Sequence, residues 1–192
     1  KESRQSYEGF FRNSSSMSIL STQVEFGGVP SDADVSFINI YGLLGLNFDI
    51  NRLFYIGPYF KQNLVSTNDY QTMLVDGKSV NLASFKEWGS GLTVGTYLML
   101  GKSMVLSPEI RLGYNEYNMQ QDNYTEANKL FVNHTYFNLS TRLNLGFRMS
   151  DFALFGLNGG YNFAKYISGA QSGAYNPQGF TYAAYIKFYL PR

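Results

Sequence analysis

The chain has one histidine and no cysteine. His134 stands in the run Val-Asn-His-Thr-Tyr-Phe, with Thr135 beside it and Asp122, Glu126 and Ser140 near in sequence. A histidine that takes the proton of a hydroxyl, itself oriented by a carboxylate, is the apparatus of acyl transfer. No spacing here follows a hydrolase pattern, and a histidine beside a strand end reads first as a rim residue. A lone histidine without thiolates leaves only carboxylates for a metal. Asp32 and Asp34, in Pro-Ser-Asp-Ala-Asp, lack the rest of a calcium loop and read as turn chemistry. The sequence therefore assigns no catalytic, cofactor-binding or metal-ligating residue.

A larger set of charged side chains is Glu25, Lys61, Glu87, Glu109, Arg111, Arg142 and Lys187. All seven fall on the polar parity of segments in which apolar and polar residues alternate. Such a set can move protons or ions, or it can satisfy itself as ion pairs. Pairing is the stronger reading, because burying an unpaired charge is so costly.

The elements that must position these residues are strands. In Phe137 to Phe147 one parity reads Phe137, Leu139, Thr141, Leu143, Leu145, Phe147, and the other Asn138, Ser140, Arg142, Asn144, Gly146. Period two is a strand signature, not a helical one. The same reading predicts eight strands over 16–28, 36–50, 54–65, 85–100, 104–119, 134–149, 153–166 and 179–190. Strands in globular proteins are commonly about five or six residues long. The lengths here suit tilted strands crossing a bilayer, which need about 9–11 residues in the hydrocarbon. Connections alternate strictly. Three-residue turns follow strands two, four and six, while 29–35, 66–84, 120–133 and 167–178 are long. An even strand number puts both termini on the short-turn side. Residues 1–15 read as a tail and 16–192 as one barrel. Met73 to Val80 reads as a small hairpin around Asp76-Gly77 within loop 66–84. Pro58 and Pro108, at matched places in strands three and five, suggest a shared bulge.

Composition agrees. The 192 residues include Tyr 16, Phe 16 and Gly 19, and only 15% are charged, against roughly 25% in ordinary soluble domains. Aromatic richness excludes a disordered chain. The longest apolar run, Ile40 to Leu46, is far short of the roughly 18 residues that mark a membrane helix. A net charge of +1 gives no case for nucleic acid. The chain starts in a polar stretch at Lys1, as an already processed secreted protein would.

Alternation alone leaves open which face points inward. Few, sign-balanced charges among Asn, Ser and Gly favour the polar face inside. Aromatics near strand ends (Phe54, Tyr55, Phe85, Trp88, Phe147, Phe152, Tyr166, Phe180, Phe188) then read as interfacial girdles. An eight-stranded barrel is just wide enough for side chains to fill, so no open pore is expected.

Eight alternating strands, tight inner turns, long outer loops and the last segment, Phe-Thr-Tyr-Ala-Ala-Tyr-Ile-Lys-Phe-Tyr-Leu-Pro-Arg, resemble the small eight-stranded outer-membrane β-barrel domains of Gram-negative bacteria, of OmpA and OmpX type. Leu106 to Tyr114 (Leu-Ser-Pro-Glu-Ile-Arg-Leu-Gly-Tyr) also resembles a strand of PorT-like barrels. Leu190-Pro191-Arg192 departs from the usual terminal aromatic. The expected fold is all-β, an antiparallel transmembrane up-and-down barrel with short periplasmic turns and long outer loops. The resemblance implies an outer-membrane location but no single activity. The expected role is non-enzymatic: a surface binding protein, or an accessory subunit of a larger outer-membrane complex. Implied partners are outer-membrane lipids (lipopolysaccharide, phospholipid) and other outer-membrane proteins. Specificity is expected in the outer loops, at Tyr70, Asp76, Tyr124, Phe131 and Tyr175. Two alternatives stand beside this reading. One is a lipid A-modifying enzyme using His134. The other is a soluble lipocalin-like carrier with its apolar face inside.

Overall fold

A computed structural model describes residues 20–30, 38–50, 53–65, 72–75, 78–101, 103–121, 131–150, 152–168 and 177–189. Every regular element among them is a strand: β1 (Leu20–Pro30), β2 (Ile38–Ile50), β3 (Phe54–Val65), β4 (Thr72–Val75), β5 (Lys78–Thr96), β6 (Leu98–Leu100), β7 (Met104–Gln121), β8 (Phe131–Ser150), β9 (Ala153–Ser168) and β10 (Gly179–Tyr189). Each long strand pairs antiparallel with its sequence neighbours, and β1 pairs with β10 to close the sheet. β6 continues the stave of β5 along β7, so eight staves form one barrel.

The expected strands survive with shifted ends. β4 pairs with the start of β5, Val75 opposite Lys78, which leaves Asp76 and Gly77 as the connection the sequence suggested. The second and third outer connections are accordingly shorter than expected, because β5, β7 and β8 run on. Phe131 is already the first residue of β8, paired with Gln120. Tyr70, Asp76, Tyr124 and Tyr175 lie outside the described residues, as do residues 1–15 and the side chain of Phe131.

The prolines make no bulge. At Pro58 and Pro108 the register on either side is unshifted. Pro58 faces a gap in the β2 ladder between Gly45–Tyr59 and Phe48–Ile56. Pro108 faces the break at Tyr97 between β5 and β6. A missing N–H removes one ladder bond without inserting a residue. At the tight-turn end, Leu53 accepts from Tyr97 N at 2.9 Å, Ser103 from Arg148 N at 2.8 Å and Phe152 from Tyr189 N at 2.8 Å. Each turn is thereby laced to a neighbouring stave. Gly101 holds φ +75°, a left-handed position that favours glycine.

The polar parity points in. The carboxylates, guanidiniums and amines of the seven charged residues are all buried. The apolar parity points out, with Phe26, Leu44, Leu92, Leu143, Leu157 and Phe180 exposed. This overturns the soluble carrier with an apolar interior. Two expected girdle residues also move inside: Tyr55 is buried in the lumen, and Tyr166 packs against Tyr117 and His134. Phe54, Trp88, Phe147, Phe152, Phe180 and Phe188 do face outward. Glycine makes room for the interior. A Cβ on Gly95 would stand 2.2 Å from the Tyr55 ring, and one on Gly113 would stand 2.0 Å from the Tyr59 hydroxyl. Gly159, in contrast, faces outward.

Candidate functional site

The lumen is built in three storeys. At its centre Glu25, on β1, is the hub. Its Oε1 accepts from Arg142 Nη1 at 2.5 Å and from Tyr41 OH at 2.7 Å. Its Oε2 accepts from Arg111 Nη2 at 2.7 Å and from Gln23 Nε2 at 3.3 Å. Arg111 also donates through Nε to Glu109 at 2.5 Å. Glu109 in turn accepts from Tyr55 OH at 2.6 Å and from Asn144 Nδ2 at 3.4 Å. Arg142 adds bonds to Ser140 Oγ, Asn158 Oδ1 and Tyr41 OH. Two carboxylates and two guanidiniums thus close on one another across three strands, β1, β7 and β8, with tyrosine, serine and asparagine side chains as further partners. Such satisfaction is what makes a buried network tolerable.

The outer storey joins Lys61 Nζ to Glu87 Oε1 at 2.7 Å, and Tyr136 OH donates to the same oxygen at 2.5 Å. Above them Tyr117, His134, Tyr136 and Tyr166 stack with ring centroids 5.1 to 6.4 Å apart. At the tight-turn end Lys187 lies over the rings of Tyr55 at 3.9 Å and Tyr97 at 4.5 Å. It donates to the Tyr97 hydroxyl, which donates to Asp49 Oδ1 at 2.7 Å.

All seven sequence-predicted charges are therefore brought inside. They fall into these three groups, which tyrosines join: Lys61 lies over the ring of Tyr41, which bonds Glu25, and Lys187 over that of Tyr55, which bonds Glu109. The sequence reading missed Asp49, a further inward charge. A signal for it existed: three acids against four bases leaves one cation over, and Asp49 shares the inward parity of Tyr41 and Asn47. It also missed the tyrosines, Tyr41, Tyr55 and Tyr136, whose hydroxyls complete the carboxylate shells. Phenols on a parity otherwise rich in Gly and Asn were the available signal.

The acyl-transfer candidates do not meet. His134 and Ser140 lie six residues apart on β8, which at about 3.3 Å per residue is roughly 20 Å. Ser140 Oγ is engaged by Arg142, and Asp122 and Glu126 lie outside the described residues. His134 is a buried ring in the outer aromatic stack, not the exposed rim residue expected. No group of metal-ligating side chains occurs among the described residues.

The outer wall has its own geometry. The apolar stretch of β7 runs from Met104 to Tyr114 and then meets Glu116, which accepts from Asn118 and Asn133. That matches the hydrocarbon thickness a strand must cross. A depression of about 570 Å³ opens on the apolar wall between Phe26, Ile40, Leu157 and Tyr182, floored by Gly28 and Ala184.

Solved structures share this architecture. Neisserial surface protein A superposes with a TM-score of 0.60 at 11% identity, over 89% of this chain and 96% of that one. The chain has the fold of a small outer-membrane β-barrel. The attachment invasion locus protein Ail of Yersinia pestis, solved in complex with the heparin analogue sucrose octasulfate, gives 0.53 at 10% identity over 88% and 95%. A major outer membrane protein from Thermus thermophilus gives 0.51 at 12% identity over 88% and 98%. No protein-family model matches the chain, and no curated protein does.

Proposed function

We propose that the chain is an integral outer-membrane barrel that works by binding and not by catalysis, either as a surface binding protein or as an accessory subunit of a larger outer-membrane complex. The observation that carries this is the pairing of a lipid-type outer wall with a lumen closed by its own ion pairs. Among the described residues, ion pairs and tyrosines fill the centre of this lumen, as an eight-stranded barrel allows, which supports binding at the wall and rims over conduction. The surfaces left for function are the outer ends of β5, β7 and β8, the loops they carry, and the apolar wall. The short turns and both termini are assigned to the periplasm, as the alternation of connection lengths suggests. That the Yersinia barrel holds a sulfated heparin analogue supports a surface-binding role for this architecture.

The test is extraction of the chain from its own membranes in mild detergent, followed by native mass spectrometry and gels run with and without boiling. A heat-modifiable band with bound lipids, alone or with a stoichiometric partner, is the expected result. Release without detergent would overturn it. For the enzymatic alternative, a change in lipid A mass that requires the chain and disappears in His134→Ala would displace this reading.

A further inference from the structure

We propose that the depression on the apolar wall is a binding groove for one acyl chain of a glycerophospholipid, with the Tyr182 hydroxyl donating to its ester carbonyl. This rests on the membrane-barrel reading above and names the ligand of one part of the wall. The groove crosses the seam where β1 meets β10. In one register row Gly28 stands between Ile40 and Tyr182, and in the next outward row Ala184 stands between Phe26 and Leu157. Each small residue is thus walled on both sides by large ones. The two low points are diagonal neighbours, about 7–8 Å apart, and together they leave the depression of about 570 Å³.

The groove is apolar along its length and polar at one point. The strands of its floor are paired on both sides, so the backbone there asks nothing polar of an occupant. The outward side chains around it carry no charge. The polar point is Tyr182. Its ring leans across the seam, so that a Cβ on Gly28 would stand 3.1 Å from its Cζ and 3.1 Å from its hydroxyl oxygen. The side chain is about half exposed, and among the described residues its hydroxyl has no hydrogen-bond partner. A hydroxyl left unpaired in hydrocarbon is costly, so this one selects an occupant that brings an acceptor.

Depth says which acceptor. Tyr182 lies three residues inside Gly179, where β10 begins, or roughly 10 Å along the strand at about 3.3 Å per residue. Just above it Phe180 and Tyr161 pack edge to face, and Tyr161 OH accepts from Gln178. That is the make-up of an interfacial aromatic belt. The hydroxyl below the belt meets the ester carbonyls of a lipid, and the groove below the hydroxyl meets its chain. The groups at this collar are neutral, Gln178 and Tyr161, where a lipid with several phosphates would call for cations. They favour a glycerophospholipid. A second copy of the chain pressed on this wall would instead enclose the Tyr182 hydroxyl in a dry contact, and association within a membrane gains nothing from hydrophobicity to offset that.

The experiment is native mass spectrometry of the full chain folded in detergent, titrated with palmitoyl-oleoyl phosphatidylethanolamine and, in parallel, with purified lipid A. Unboiled gel mobility reports folding. Wild type should take up one phosphatidylethanolamine ahead of all others and ahead of lipid A. Tyr182→Phe keeps the ring over Gly28 and should weaken that first step several-fold. Ala184→Leu fills the groove and should weaken it about tenfold. Ser90→Leu, outward on β5 at the far wall, should leave it unchanged. Should Ala184→Leu fail to fold, Tyr182→Phe, nearly isosteric, decides alone. A first step unchanged in the Phe and Leu variants that fold at Tyr182 and Ala184 would overturn the groove. So would lipid A taken up first, or a dimer peak that Ala184→Leu removes. Each of these results leaves unboiled mobility intact and strikes the groove alone. A chain that stays folded without detergent would strike the membrane reading, and the groove with it.

Discussion

Arg142 Nη1 lies 2.5 Å from Glu25 Oε1, although 117 residues separate them along the chain. β1 and β8 are not neighbours in the sheet, so this bridge crosses the lumen. Arg111 reaches the same carboxylate from β7. One glutamate therefore ties three staves together from inside.

Loss of that hub should cost more than loss of either arm. Glu25→Ala leaves two buried guanidiniums facing each other without their shared anion, and removing one partner of a buried pair typically costs about 3–5 kcal/mol. Arg142→Met leaves Glu25 held by Arg111, Tyr41 and Gln23, and should cost less. Urea titration of the unboiled gel band reads both. Equal midpoints would show that Glu25 is not the hub.

Asp49 should balance Lys187. Asp49→Asn is expected to lower the unfolding midpoint, because the Lys187 ammonium then keeps tyrosine faces, a hydroxyl and the charge of Glu109 but loses that of Asp49. Adding Lys187→Met should recover much of the loss, since removing both charges is milder than removing one. A double variant weaker than Asp49→Asn alone would break the pairing.

Gly113 should be kept small by one hydroxyl. Gly113→Ala places a Cβ against Tyr59 OH, and overpacking of this kind costs about 1–3 kcal/mol. Tyr59→Phe removes the oxygen at 2.0 Å and leaves ring and backbone atoms at 3.0 Å. The double variant should therefore be partly rescued. Thermal midpoints of unboiled mobility give the comparison, and strictly additive losses would argue against this contact.

Leu157→Arg should impair insertion, since a cation on the lipid face near mid-bilayer costs about 2–4 kcal/mol. Lys165→Glu, on the same outward parity but nearer the outer end of β9, should change little. The measurement is the fraction folded into vesicles at matched lipid concentration. Equal yields would mean that Leu157 does not face the hydrocarbon.

Much of this was legible in the sequence because alternation reports a sheet face directly. The clean parity of Phe137 to Phe147 became the two faces of β8, and all seven predicted interior charges are buried. Other features were hidden for physical reasons. Tyr55 and Tyr166 sit near strand ends, where an aromatic can belong to a girdle or a lumen; parity, not proximity to an end, decides. Pro58 and Pro108 were read as bulges because proline breaks a ladder, yet a lost bond needs no inserted residue. Asp49 escaped because it sits beside a tight turn, where acids are ordinary. The Glu25 hub could not be read at all. It joins residues from β1, β2, β7 and β8, and only closure of the barrel brings them within reach.

The most direct test of the inward-polar, outward-apolar wall is nitroxide labelling, which the absence of native cysteine makes clean. Single cysteines would replace Leu143, Asn144, Leu145, Leu157 and Asn158 in turn, in chain folded into lipid vesicles. Labels at Leu143, Leu145 and Leu157 should collide freely with dissolved oxygen, and labels at Asn144 and Asn158 should be shielded from it. Oxygen accessibility that ran level along both strands, or peaked at the two asparagines, would contradict the account.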